Sequence, residues 1–221
     1  MPGIDALRGP SRATAVLILP LALAVADNVR VRRQRDAARR DPLTGLPGRD
    51  ALTRQVDRLT RTNRELLHVL VADADGLKTL NDTQGHHAGD VLLAAIGQRL
   101  SVWARTHGGL AARLGGDEFA AVVLLDLSAS VRELRALRET VAQPVEGWPA
   151  IRPRLSIGAA RAADLPHAAG ASRLLRGADM AMYRVKTGLE ECGYLATAHD
   201  AYAPSVHGRR PGRDGTHLPA A

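Results

Sequence analysis

The sequence contains few aromatic residues and a single cysteine, and each scarcity excludes a class of protein. Aromatic residues make up 3% of the chain, and Phe119 is the only phenylalanine. A groove that binds nucleic acid through interleaved aromatic and basic side chains is therefore not expected. Cys192 is the one cysteine, which excludes an internal disulfide and a zinc site built from several cysteines. No G-x-G-x-x-G or G-x-x-x-x-G-K-[ST] segment occurs, which argues against a Rossmann or P-loop mechanism.

The positive charge is concentrated at the start of the chain. The formal net charge is +7, but residues 1–40 carry eight arginines against three aspartates, whereas residues 41–221 carry 22 basic and 20 acidic side chains. Because the main part of the chain is close to neutral, we expect no nucleic-acid partner. The arginine-rich segment 30–40 fits attraction to an anionic membrane surface better.

An apolar run at residues 13–26 precedes the arginines. As a helix, its 14 residues would span about 21 Å, less than the roughly 30 Å of a hydrocarbon core. Three interpretations stay open: a marginal membrane anchor over residues 13–29, a cleaved signal peptide, or a helix that packs on another surface. The arginines that follow favour an anchor with the domain on the cytoplasmic, inner face of the membrane.

The rest of the chain alternates predicted helices and strands. This order predicts an α+β fold, an antiparallel-cored sheet with flanking helices, preceded by an N-terminal helix and connector over residues 1–40. We expect the folded domain at 41–197 and a flexible tail at 198–221, where Pro, Gly, His and Arg prevail. The predicted helices cover residues 48–62, 89–104, 131–142 and 171–186, and the predicted strands cover 68–75, 110–114, 118–126, 151–160 and 193–197.

Acidic residues stand at the ends of two predicted strands. Asp73 is near the end of the first strand, and Asp117 with Glu118 follows Gly115-Gly116 in a tight hairpin turn. If these strands are neighbours, the carboxylates can converge and bind Mg²⁺ or Mn²⁺, which prefer oxygen ligands. The glycines would let a bulky nucleotide approach the backbone. An ordinary hairpin with solvated acids is the alternative.

The segment from Asp73 to Asp90 adds polar side chains. It resembles a calcium loop but fails at Lys78, where such a loop requires Gly, and at Gln84, where it requires Glu. Asn81 and Asp90 have the groups that could read guanine, since a carboxylate accepts from N1 and N2 and an amide donates to O6, N3 or N7. The alternatives are a turn cap at Asn81 and a helix start at Asp90.

Four segments together resemble the GGDEF family of diguanylate cyclases in order and spacing. They are DPLTGLPGR at 41–49, DADGLKTLNDTQGHHAGD at 73–90, RLGGDEF at 113–119 and ADMAMYRVK at 178–186. The resemblance implies a fold similar to the ferredoxin-like palm of nucleotidyl cyclases. It also implies condensation of two GTP into cyclic di-GMP and two pyrophosphates by a homodimer in which each protomer binds one GTP.

The resemblance also implies roles for individual residues. Asp73, Asp117 and the carbonyl of Ala74 would bind metal and Glu118 would support the metal site, which would hold two Mg²⁺ or Mn²⁺ ions. The remaining roles are removal of the 3′-hydroxyl proton by Asp117 or Glu118, guanine recognition by Asn81 and Asp90, and phosphate contact by Lys78, Lys186 and the loop at Gly76 and Leu77.

Two of the departures from the family pattern bear on phosphate binding. Gly76 and Leu77 stand where the family usually has an aromatic residue, and Glu190 stands where it often has an arginine that contacts the triphosphate. These departures leave an alternative open, namely a degenerate domain that binds GTP or cyclic di-GMP and signals through protein contacts without turnover.

Overall fold

The computed structural model describes residues 40–166 and 169–202. In these residues no helix has both the length and the apolar character that crossing a bilayer requires. The apolar run at residues 13–29 lies outside the described residues, so the membrane anchor stays a prediction. The tail beyond Tyr202 also lies outside them.

Helices and strands follow one another along the described chain. The bounds of the helices are α1 Arg49–Thr62, α2 Leu77–Gln84, α3 His86–Thr106, α4 Leu127–Val141, a 3₁₀ turn at Ala162–Asp164, α5 Ala171–Lys186 and α6 Ala198–Tyr202. The strands are β1 Leu67–Ala74, β2 Leu110–Gly115, β3 Glu118–Leu124 and β4 Leu155–Arg161.

The four strands form one antiparallel sheet in the order β2-β3-β1-β4. All eight residues of β1 are buried, as expected for a central strand covered on both faces. One face carries a core that includes Leu70 and Ile96, and the other carries a core that includes Val69 and Leu174. The predicted α+β architecture with flanking helices is confirmed.

Close packing between β4 and α5 depends on Gly158. A Cβ atom at this position would overlap the backbone of Ala181 and Met182 and would lie 2.6 Å from the carbonyl oxygen of Ala178. The helix backbone therefore lies directly on the sheet, which is a contact that only glycine allows. This packing sets the position of α5 and of Lys186 at its last residue.

Several predicted boundaries need correction. The segment between β1 and α3 was expected to be a loop but contains α2, because Leu77 and Leu80 pack against the core. The strand expected at 193–197 is reduced to one parallel bridge between Ala159 and Leu195. Helix α6 falls in the segment that was assigned to the flexible tail, and its Ala201 is buried.

Candidate functional site

The acidic residues of two strands meet at one edge of the sheet. In the β1–β3 register Asp73 lies directly opposite Glu118. The backbone N–H of Ala74 donates to the carbonyl oxygen of Asp117 at 3.0 Å. The predicted metal-binding residues therefore lie next to one another in the fold. They form two pairs, Asp73 with Ala74 and Asp117 with Glu118, which more than forty positions separate in the sequence.

A lysine compensates the buried carboxylate of Asp73. The Asp73 side chain is 5% exposed, and its Oδ1 atom accepts from Nζ of Lys186 at 2.6 Å. A buried carboxylate requires such a partner, because desolvation of an uncompensated charge is costly. The Lys186 side chain is 43% exposed, so its ammonium group also faces the open edge where a ligand would bind.

The donor set at this edge consists of oxygen atoms, which suits Mg²⁺ or Mn²⁺ in chemistry. Among residues 40–166 and 169–202, however, no group of three or more His, Cys, Asp or Glu side chains could hold a metal ion. Side chains alone therefore form no metal site in the described residues, and the predicted site would also need the backbone carbonyl of Ala74. What the fold supplies is one opposed pair, Asp73 and Glu118, with backbone carbonyls beside it.

Arg113 holds the glycine turn between β2 and β3. Gly116 adopts a φ of 47°, in the left-handed region that glycine tolerates. Nε and Nη2 of Arg113 donate to the carbonyl oxygen of Gly116 at 3.0 and 2.6 Å, and Nη1 donates to Oδ1 of Asp41 at 2.9 Å. Sequence reasoning missed this positioning role, although Arg113 stands just before the glycine pair.

Asp41 belongs to the same network. Burial acts to raise the pKa of the Asp41 carboxyl, but hydrogen bonds from Thr44 and Arg113 outweigh it and hold that pKa below its ordinary value. The backbone N–H and Oγ1 of Thr44 donate to Oδ1 of Asp41 at 2.8 and 2.6 Å. The first family-like segment is therefore tied to the hairpin turn through an ionised aspartate.

The two predicted guanine-reading residues come from adjacent helices. Asn81 lies in α2, and Gly89 of α3 leaves the space that its side chain occupies. The Oδ1 atom of Asn81 is buried and has no hydrogen-bond partner in the described structure. Asp90 directly follows Gly89 and is exposed. An unsatisfied buried acceptor beside an exposed carboxylate is the arrangement expected of a site that receives a polar ligand.

The phosphate-contacting candidates surround the start of α2. Gly76 precedes this helix with a φ of 74°, Leu77 is its first residue and packs against the core, and Lys78 is exposed in its first turn. Unsatisfied backbone N–H groups at a helix start favour anions. The segment that was expected to offer free carbonyls therefore offers N–H groups.

Two neighbouring cavities lie near these residues, and the smaller one adjoins the start of α2. The smaller, about 430 Å³, is lined by Asp75, Gly76, Arg138, Arg154 and Lys186 among others. The larger, about 760 Å³, shares Arg138 and Arg154 and extends past Arg135 and Arg152 to Glu190. Sequence reasoning missed the arginines, because nothing in their local sequence links them to the acidic motifs.

Residues 38–191 match the family model described as "Diguanylate cyclase, GGDEF domain", which covers more than half of the chain. Diguanylate cyclase TpbB from Pseudomonas aeruginosa is 37% identical over 74% of this chain and 38% of its own length. Diguanylate cyclase DgcP from Escherichia coli is 33% identical over 71% of this chain and 47% of its own length. The chain thus spans less than half of these two cyclases.

Solved structures give the same assignment. The coiled coil and GGDEF domain of DgcB from Caulobacter crescentus, solved in complex with c-di-GMP, aligns with a TM-score of 0.61 at 26% identity, covering 82% of this chain and 99% of that one. The GGDEF domain of TpbB from Pseudomonas aeruginosa aligns with a TM-score of 0.57 at 34% identity, covering 73% of this chain and 96% of that one.

Proposed function

Because the chain belongs to the family of GGDEF diguanylate cyclase domains, we propose that it condenses two GTP molecules into cyclic di-GMP with release of two pyrophosphates. The observation that carries this proposal is the strand register that sets Asp73 opposite Glu118, with Lys186 bound to Asp73. Carboxylates and a cation at one open sheet edge suit a reaction in which a hydroxyl loses a proton and a triphosphate gains charge.

Guanine recognition falls to Asn81 and Asp90. The Oδ1 atom of Asn81 is buried and unpartnered; after rotation of the side chain it would accept from a guanine N–H group while its amide N–H groups could donate to a guanine acceptor, and the exposed carboxylate of Asp90 would accept from another N–H group. Adenine lacks the N1 and N2 donors, so both acceptors would stay unsatisfied with ATP. A site built on such acceptors discriminates strongly, because buried polar groups are left unpaired with the wrong base.

The triphosphate would lie along the start of α2. The backbone N–H groups after Gly76 and the side chains of Lys78 and Lys186 would bind its oxygens. When Lys186 binds phosphate, its contact with Asp73 at 2.6 Å would lengthen or be shared. This exchange needs little movement, because the Lys186 side chain is already partly exposed.

Bond formation requires two protomers. The 3′-hydroxyl oxygen of one GTP attacks the α-phosphorus of the other, the bond to the pyrophosphate breaks, and the hydroxyl proton passes to Asp117 or Glu118. The same exchange in the opposite sense closes the ring. One domain has one such edge, so we propose a homodimer whose two sites face each other.

Two Mg²⁺ or Mn²⁺ ions would be held by Asp73, the Ala74 carbonyl, Asp117 and Glu118. A bound divalent cation would stabilise negative charge on the phosphates and lower the pKa of the attacking hydroxyl. Since Asp73 already binds Lys186, ion binding and the lysine contact would compete for the same carboxylate.

The test is incubation of the purified full chain with Mg²⁺ and GTP, followed by identification of cyclic di-GMP by mass spectrometry. Glu118→Gln should abolish the product. Asp82→Asn removes an exposed carboxylate on α2 and serves as the matched control that should retain it. A version fused to a dimerising coiled coil distinguishes a chain that is inactive because it does not dimerise from one that cannot catalyse the reaction. No product from either form would refute the proposed activity.

The second candidate function is nucleotide binding without turnover. Glu190 favours it, because it places a carboxylate, paired with Arg184 at 3.6 Å, where the family often has an arginine. Tight binding of GTP or cyclic di-GMP by the dimerised form, with no product over long incubation, would support this candidate.

A further inference from the structure

The cavity beside Lys186 is strongly basic. Lys186, Arg138 and Arg154 line it, and Asp75 is the acidic residue among its lining side chains. Oδ1 of Asp75 accepts from Oγ of Ser156 at 2.8 Å, so a neighbouring strand residue already satisfies part of that carboxylate. Three cations around one small cavity favour a ligand with several negative charges.

Arg154 reaches this cavity because of its place in the sheet. It immediately precedes β4, and its carbonyl oxygen accepts from the N–H of Asp75 at 3.0 Å. The next residue, Leu155, is the register partner of Ala74. Arg154 therefore lies at the same end of the sheet as the acidic pair, and β1 separates its strand from the β2–β3 hairpin.

The other arginines nearby are less suited to the role. Arg135 is paired with Glu191 at 2.9 Å. Arg152 is exposed like Arg154 but lines the larger cavity and is absent from the lining of the smaller one. Among the described residues, Arg154 forms no ion pair, so its guanidinium is available to a ligand.

We propose that Arg154 is a triphosphate-binding residue that supplies, from β4, the cationic contact that Glu190 cannot make. This inference rests on the proposed function and adds a residue to the same site. Arg138 borders both cavities and adds positive potential behind Arg154. An arginine there would bind the outer phosphates through parallel hydrogen bonds from its planar guanidinium.

The test compares Arg154→Gln with Arg152→Gln in the full chain. The probe is the α,β-methylene analogue of GTP with Mg²⁺, measured by calorimetry in parallel with GMP. We expect Arg154→Gln to weaken binding of the analogue about tenfold to a hundredfold and to leave GMP affinity unchanged, because GMP lacks the outer phosphates. Arg152→Gln should change neither affinity by more than about twofold, since Arg152 is exposed and does not line the smaller cavity, so salt screens its charge.

A rescue variant adds a second readout. Arg154→Gln combined with Glu190→Arg should recover part of the lost affinity, because position 190 borders the larger cavity together with Arg154 and is the position at which the family often has a triphosphate-binding arginine. Equal losses in Arg152→Gln and Arg154→Gln, or no loss in Arg154→Gln, would overturn the assignment. If the unmodified chain does not bind the analogue at all, the proposed function fails, and that outcome is distinct from a failure of Arg154 alone. Thermal unfolding of each variant verifies that it is folded.

Discussion

Substitution of Gly89 by alanine should separate guanine binding from stability. A Cβ atom at Gly89 would overlap Oδ1 of Asn81 and would lie 3.0 Å from its Cγ and 3.1 Å from Cδ1 of Leu77. These atoms belong to side chains, so the strain is relieved by rotating Asn81 rather than by moving backbone. The substitution therefore displaces the proposed guanine acceptor and leaves the helix in place.

The expected energies differ in sign. Replacing glycine by alanine inside a helix contributes about 0.8 to 1.0 kcal/mol to stability, and forcing a side chain off its rotamer costs about 0.5 to 1.5 kcal/mol. The free energy of unfolding should therefore change by less than about 1 kcal/mol. Loss of the guanine contact leaves a polar group unpaired and costs about 1 to 3 kcal/mol in binding, or roughly fivefold to 150-fold in affinity.

The assay pairs thermal unfolding with calorimetric binding of the α,β-methylene analogue of GTP. Gly97→Ala is the control within the same helix, because the three atoms nearest to its Cβ would belong to Thr44 and Leu46, the nearest being Cβ of Thr44 at 2.7 Å. We expect it to change stability more than affinity. Asn81→Ala should weaken binding as Gly89→Ala does, and the double variant should add little. Normal affinity in Gly89→Ala would refute the role of Asn81.

Three further predictions concern other parts of the chain. Gly158→Ala should lower the free energy of unfolding by about 3 kcal/mol or more, because the new Cβ meets the backbone of Met182; a melting temperature within about 2 °C of the unmodified chain would contradict this packing. Asp41→Asn should destabilise the protein at neutral pH and make its free energy of unfolding less dependent on pH in acid. Because folding lowers the pKa of Asp41, its ionised carboxylate stabilises the protein above the ordinary pKa, and this stabilisation is lost as pH falls through the pKa of the folded state. Urea unfolding between about pH 2 and pH 6 measures the change in stability. Removing residues 1–40 should release the protein from membranes and lower activity, and a full chain that fractionates wholly as soluble would contradict the anchor.

Most of the sheet could be predicted from the pattern of apolar, polar and glycine residues within short stretches of sequence. The apolar strand before Asp73 and the glycine pair at the β2–β3 turn are signals that neighbouring residues carry by themselves. The fold class and the edge that holds the acidic residues could be predicted for that reason. Helix α2 could not, because its sequence is largely polar and its stability comes from packing Leu77 and Leu80 on the core.

Contacts between residues far apart in the sequence could not be predicted from short stretches of sequence. The Lys186–Asp73 pair joins positions 113 residues apart, and the Arg113–Asp41 pair joins positions 72 apart. The resemblance to known cyclases supplied a phosphate role for Lys186 but not its contact with Asp73. Arg154 carries no sequence signal that distinguishes it from the other arginines of this arginine-rich chain, and the place of Arg113 in the RLGGDEF segment does not reveal its contact with Asp41.

Both outer strands of the sheet are partly covered by non-strand backbone. The N–H of Arg113 in β2 donates to the carbonyl oxygen of Pro47 at 3.0 Å, and the N–H of Ala196 donates to the carbonyl oxygen of Ala159 in β4 at 2.7 Å. Because some backbone groups of both edge strands are already hydrogen-bonded, a strand from another molecule adds to them less readily. Two copies of this domain would therefore not readily pair by extending one sheet into the next, and the strand ends that carry the acidic residues are not used up by such pairing.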